Sequence, residues 1–130
     1  MDEQPSLGKL HQGILQVCDG EGIDPQIVFI DDGSSDGSWA EMKQLVGEHP
    51  GTDAIRFRRN FGKAAALAAG FSICRGEVVL TMDADLQDDP KEIPRFLEKL
   101  DEGFDVVSGW NRVRHEPWHK VLPSRVFNWL

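Results

Sequence analysis

Apolar residues at Leu7, Leu10, Ile14 and Val17 return every three or four positions, the spacing of one face of an amphipathic helix. The unbroken run Gln26-Ile27-Val28-Phe29-Ile30 predicts a buried strand, closed by the Gly/Ser/Asp loop Asp32-Gly33-Ser34-Ser35-Asp36-Gly37. A short helix is expected through Trp39, Met42, Leu45 and Val46, then a strand around Ala54-Ile55-Arg56-Phe57 and a loop at Arg59-Asn60-Phe61-Gly62. Alanines dominate residues 63–74, giving high helix propensity and a surface small enough to pack closely on a sheet. Residues 77–83 predict a further strand. Residues 90–101 predict a helix with its buried stripe at Ile93, Phe96, Leu97 and Leu100, and Asp105-Val106-Val107-Ser108-Gly109 a last strand. Strands alternating with helices call for an α/β domain, a mostly parallel sheet with helices on both faces.

With 130 residues the chain has the length of one domain or a piece of one. Its formal charge of -8 is unevenly spread: residues 1–105 hold 10 basic and 21 acidic side chains, residues 106–130 hold 4 basic and 1 acidic. An acidic body argues against nonspecific nucleic-acid binding, and the basic, Trp-bearing tail suggests an anionic partner at that end alone. Cys18 and Cys74 fall in predicted helices at no metal-ligand spacing, so they read as small buried residues of a reducing cytosol. No apolar run reaches the length of a membrane span, and the acidic N-terminus does not resemble a secretory signal.

The polar clusters fall where the predicted strands end. Asp31 and Asp32 close the first, residues 58–63 follow the second, residues 83–87 the third and residues 109–114 the fourth. In parallel sheets ligands bind at this carboxyl rim. Asp83 and Asp85 are one residue apart, so in an extended segment both carboxylates aim at one point, where Mg²⁺ or Mn²⁺ with Gln87 as a further oxygen donor would offset their repulsion. A solvated acidic loop is the alternative, and for residues 88–90 the simpler reading is Asp89 as helix N-cap with Pro90 at the first helical position. Asp31 and Asp32 follow four apolar strand residues and need hydrogen bonds or counter-charges, which a base or ribose could supply, although a plain turn accounts for residues 35–38. The loop through Gly62 and Lys63 is either a surface turn or, beside the acids, a cationic phosphate site at a helix N-terminus. His11 and His49 look isolated, and His115 and His119 fit a solvated helix face as well as a metal pair.

Four of these stretches, in this order, resemble family 2 glycosyltransferases of the GT-A (Rossmann-like) fold, in particular the polyprenyl-phosphate glycosyltransferases. They are Val28-Phe29-Ile30-Asp31-Asp32-Gly33-Ser34-Ser35-Asp36-Gly37, Arg59-Asn60-Phe61-Gly62-Lys63-Ala64-Ala65-Ala66-Leu67, Asp83-Ala84-Asp85-Leu86-Gln87-Asp88-Asp89-Pro90 and Asp105-Val106-Val107-Ser108-Gly109. The resemblance implies inverting, metal-dependent transfer of a hexose from a nucleotide diphosphate sugar to a polyprenyl phosphate. Asp31, Asp32, Gly62, Lys63 and Asp83 would hold the nucleotide. Asp83, Asp85 and Gln87 would hold Mg²⁺ or Mn²⁺, with Asp83 and Asp85 as the catalytic pair. Arg112, Arg114, Lys120 and Ser124 would hold the acceptor phosphate. A chain of this kind would work in the cytoplasm, peripherally at the inner face of the membrane.

The resemblance divides the chain into a partial nucleotide-sugar-binding domain, residues 1–115, and an amphipathic segment, residues 116–130. That segment either covers the core or lies at a bilayer surface. Relatives of this kind begin with a central strand, which this sequence lacks, and they continue past its last residue. Such a sheet is expected to leave open edges, with strand-exchanged homo-oligomers as one outcome. Two rival readings follow: a nucleotide-sugar-binding fragment without catalysis, and a soluble transferase acting on a sugar hydroxyl.

Overall fold

The computed structural model describes residues 4–109. The chain divides into a unit up to Leu97 and a unit from Glu98. The first opens with α1 (Gln4–Gly20), followed by β1 (Ile27–Asp31), α2 (Ser38–Glu48), β2 (Thr52–Arg56) and α3 (Lys63–Ile73). A single 3-10 turn at Pro90–Glu92 leads into α4 (Ile93–Asp101), which runs across the boundary. In the second unit the described residues finish this helix and turn at Gly103, which takes the left-handed φ of 102°.

Side chains alternate across β1, and this period of two sets the layering. Ile27, Phe29 and Asp31 are buried on one face. There Ile27 and Phe29 join Leu7 of α1 and Met42 and Leu45 of α2 in the main apolar cluster, with Ile14, Leu15, Trp39, Ala54 and Ala84 against it. The opposite face of β1 meets α3. A β-carbon at Gly70 would stand 2.7 Å from Ile30 Cδ1, so this glycine lets the alanine-rich helix lie close to the strand. The expected helices on both faces are therefore present, around a sheet in which β1 and β2 run parallel with Asp31 opposite Arg56 at the carboxyl end.

His11 is buried, contrary to its isolated look in the sequence. One ring nitrogen lies 2.8 Å from Thr52 Oγ1, and the ring packs against Phe29 and His49 at centroid distances of 5.8 and 4.5 Å. Burial pushes its pKa below the ordinary imidazole value; the adjacent His49 acts in the same direction and Glu48 opposes both. Cys18 is buried as expected, which pushes its thiol pKa up, while Cys74 is only half-buried. Gly13 of α1 faces Pro90 so closely that a β-carbon would lie 3.2 Å from the proline ring.

Two expected strands do not form. Residues 77–83 and 105–109 pair with no strand among the described residues, and the apolar side chains that suggested them stand in solvent: Val79 is 46% exposed and Val106 84%. The physical reason is non-local. An apolar run becomes a strand only where a neighbouring backbone edge takes its N–H and C=O groups, and among the described residues β1 and β2 pair only with each other. The shift of β2 from the expected 54–57 to Thr52–Arg56 is small by comparison. Among the described residues no helix is long and apolar enough to cross a membrane. The segment 116–130 and its boundary at 115 lie outside the described residues.

Candidate functional site

Three loops meet beyond the carboxyl ends of β1 and β2, and acidic side chains tie them together. Asp31 closes its own turn by accepting from the Ser34 N–H at 2.7 Å, while its other oxygen lies 3.1 Å from Arg56 Nε. This second contact is a charge pairing without hydrogen-bond alignment. Arg56 is further fixed by donating to the Ser34 carbonyl at 3.3 Å and by lying over the Trp39 ring at 5.4 Å. It was not singled out in the sequence. The signal was its register, since an acid and a base end two parallel strands at matching positions.

Asp32 joins the first loop to the second. Its carboxylate accepts from the Phe61 N–H at 2.7 Å and the Gly62 N–H at 2.9 Å, just ahead of α3. Gly33 allows this approach: it takes φ 80°, and a β-carbon there would fall 2.7 Å from the Arg59 carbonyl carbon and 2.8 Å from Asn60 N. Behind it, Gly33, Ser34, Arg56, Phe57 and Arg58 line a cleft of about 340 Å³. A similar cleft of about 380 Å³ between α1 and α2, lined by Gly8, Ala40, Glu41, Gln44 and Leu45, contains none of the motif residues. Phe61 is held edge-on against Phe57, with Arg59 over its ring at 4.9 Å.

Lys63 joins the second loop to the third. Its ammonium donates to both oxygens of Asp83, at 2.9 and 3.1 Å, and both side chains are largely exposed. The third loop is not the extended segment expected. Residues 84–87 form turns, Leu86 takes a left-handed φ of 62°, and Asp85 Oδ1 accepts from the Gln87 N–H at 3.0 Å. Asp83 and Asp85 thus do not project in strand register, because the turn hydrogen bond offers the backbone a local alternative to a ladder. Asp88 steadies the loop by accepting from the Asp83 N–H at 2.9 Å. Asp89 is the N-cap foreseen, accepting from Lys91 N at 3.0 Å with Pro90 following.

The structure therefore gathers Asp31, Asp32, Gly62, Lys63 and Asp83 into one linked series, with Asp85 and Gln87 in the adjoining turn. Arg112, Arg114, Lys120 and Ser124 lie outside the described residues. Among the described residues no three acidic, His or Cys side chains converge as a complete metal cage. Asp83 and Asp85 are exposed carboxylates, the donor type Mg²⁺ or Mn²⁺ takes when water and substrate phosphates complete its shell; here Asp83 is paired with Lys63 and Asp85 closes a turn. Three buried oxygens in and around the first loop, Asp31 Oδ2 at the end of β1, Ser34 Oγ, and Ser38 Oγ at the start of α2, have no hydrogen-bond partner among the described residues, an uncommon cost for one short segment.

Comparison with known proteins places the chain in a family. Residues 3–129 match the family described as Glycosyl transferase family 2. The chain is 41% identical to an undecaprenyl-phosphate 4-deoxy-4-formamido-L-arabinose transferase of Edwardsiella ictaluri (strain 93-146), and 42% identical to a protein of the same description from Enterobacter sp. (strain 638). Each alignment covers 99% of this chain and 40% of the relative, so the chain spans about two fifths of the length of these curated relatives. The parallel pair β1 and β2, with helices on both faces, is consistent with the GT-A fold expected of such a sequence. On a match running through nearly all its residues, the chain belongs to glycosyl transferase family 2.

Proposed function

We propose that this chain supplies the nucleotide-sugar-binding part of a glycosyltransferase that passes a sugar from a nucleoside diphosphate to a polyprenyl phosphate. The observation that carries the reading is the linkage of three motif loops at one rim, through Asp32 to Phe61 and Gly62 and through Lys63 to Asp83. The similar proteins are named for undecaprenyl phosphate as acceptor and for a 4-deoxy-4-formamido-L-arabinose as sugar. That sugar is a pentose derivative, so the hexose expected from the motifs gives way here to a sugar of the arabinose type.

In this reading the bond between the anomeric carbon and the nucleotide's terminal phosphate oxygen breaks, and its electron pair leaves on the nucleoside diphosphate. An oxygen of the acceptor phosphate bonds to the opposite face of the carbon, which inverts it. The acceptor is already an anion, so it needs no strong general base. Asp31 at the end of β1, Ser34 in the loop and Ser38 at the start of α2 frame the segment offered to the nucleoside, with the cleft lined by Arg56 and Arg58 beside it. Lys63 stands next to the carboxylates and brings positive charge to the diphosphate. A divalent ion on Asp83 and Asp85 would offset charge on the leaving group. With a lipid phosphate as acceptor, the chain works at the cytoplasmic membrane surface, where Lys120 and Ser124, with Arg112 and Arg114, are the residues proposed to meet it.

Calorimetry with UDP and GDP, with and without Mn²⁺, tests the reading. We expect Mn²⁺-dependent binding of one of them, lost in Asp85→Ala while the circular dichroism spectrum stays unchanged. Equal metal-dependent affinity in that variant refutes it.

A further inference from the structure

The carboxylate proposed to hold the metal already carries a cation from the chain itself. Lys63 Nζ lies within 3.1 Å of both Asp83 oxygens, so it occupies the side on which a divalent ion would bind. At ordinary coordination distances the two cations would stand within about 4 Å of each other, where like charges repel even beside water. Each therefore weakens the other's hold on Asp83. The pair is also poised to open: Lys63 and Asp83 side chains are 70% and 61% exposed, and exposed pairs of this kind add little to stability.

The start of α3 gives the displaced ammonium a task. Just ahead of this helix the N–H groups of Phe61 and Gly62 donate to Asp32, so a phosphate arriving at the start of α3 would meet a carboxylate beside it. The ammonium that leaves Asp83 when metal arrives is the nearby charge able to offset that carboxylate. We propose that Lys63 is an exchange cation: it neutralises Asp83 in the empty site, yields to the metal, and turns to the nucleotide's phosphates, so that metal and nucleoside diphosphate favour each other's binding. This rests on the metal-dependent nucleotide site proposed above. Coupling of this form is reciprocal, since each ligand raises affinity for the other by one factor.

The test is Mn²⁺ binding to the full chain, followed by the paramagnetic resonance of free Mn²⁺, alone and with saturating UDP or GDP, each corrected by the same nucleotide and Mn²⁺ without protein. In the unaltered chain the nucleotide should tighten Mn²⁺. Lys63→Met should bind Mn²⁺ alone about three- to five-fold more tightly, the scale of an exposed ion pair. In that variant the nucleotide should add less than it does in the unaltered chain. Lys63→Arg, which keeps the charge, should resemble the unaltered chain. If nucleotide tightens Mn²⁺ in the unaltered chain but Lys63→Met binds Mn²⁺ alone no more tightly, the exchange is wrong and the nucleotide site stands. Tightening in Lys63→Arg equal to that in Lys63→Met likewise overturns it. If nucleotide leaves Mn²⁺ affinity unaltered in every form, including Asp85→Ala, the functional reading fails and the exchange falls with it.

Discussion

Residues 27–63 and residues 77–89 are built from similar material and reach different ends. Each has a short apolar run followed by closely spaced aspartates, yet Ile27 and Phe29 are buried in a parallel pair while Val78, Val79 and Leu80 are exposed and unpaired among the described residues. Burial accompanies pairing. Once β1 has β2 beside it, its alternate side chains face α1 and α2 on one side and α3 on the other, and the loops at its end are held from two directions. The third loop gains its order from local hydrogen bonds, through Asp85, Asp88 and Asp89, from the long reach of Lys63, and from Ala84 against the apolar cluster.

Equal deletions should expose this difference most strongly. Leu7→Ala removes a fully buried side chain from the apolar cluster and should cost about 2–5 kcal/mol in urea unfolding. Leu80→Ala, removing the same atoms from an exposed segment, should stay within about 0.5 kcal/mol. A similar loss in both would mean that residues 78–80 are paired in solution.

A smaller effect is expected where the first two loops touch. Gly33→Ala adds a β-carbon to a left-handed residue pressed on the Arg59 and Asn60 backbone, and should destabilise by about 1–3 kcal/mol. Gly62→Ala also places a β-carbon on a left-handed residue but meets no atom within 4 Å, so its loss should be smaller. The difference between the two variants measures the close approach itself.

Acid should loosen the side of the sheet on which α1 packs, with the smallest effect of the three. Because the folded state lowers the pKa of His11, the unfolded chain binds its proton more readily. The stability tied to neutral His11 is therefore complete above about pH 6.5 and declines as pH falls below that toward the lowered folded value. His11→Gln, which retains a side-chain amide to meet Thr52, should flatten this part of the pH profile of unfolding. An unaltered slope would place the titrating group elsewhere.

Much of the fold was legible because its signals are local. The helical spacing of Leu7 and Leu10, the apolar run of β1, the alanines of α3 and the Asp89-Pro90 start each act within a few residues, and these elements are present. The strands at 77–83 and 105–109 were misjudged because a strand depends on a partner edge that no window of sequence contains. The site divides in the same way. Aspartates at strand ends could be read directly, but that Asp32 would bind the amides of 61 and 62, or that Lys63 would cross twenty residues to Asp83, follows only from how the loops converge. Arg56 and His11 were passed over for the same reason, since their partners come from other elements.

The missing side chain at position 13 ties the first helix to the acidic turn. Because Gly13 presents only backbone to the ring of Pro90, the depth at which α1 seats governs where the chain can leave residues 83–89. A bulkier residue there would act as a wedge, prying at the proposed cation-handling apparatus from some seventy positions upstream without touching any of its charged groups.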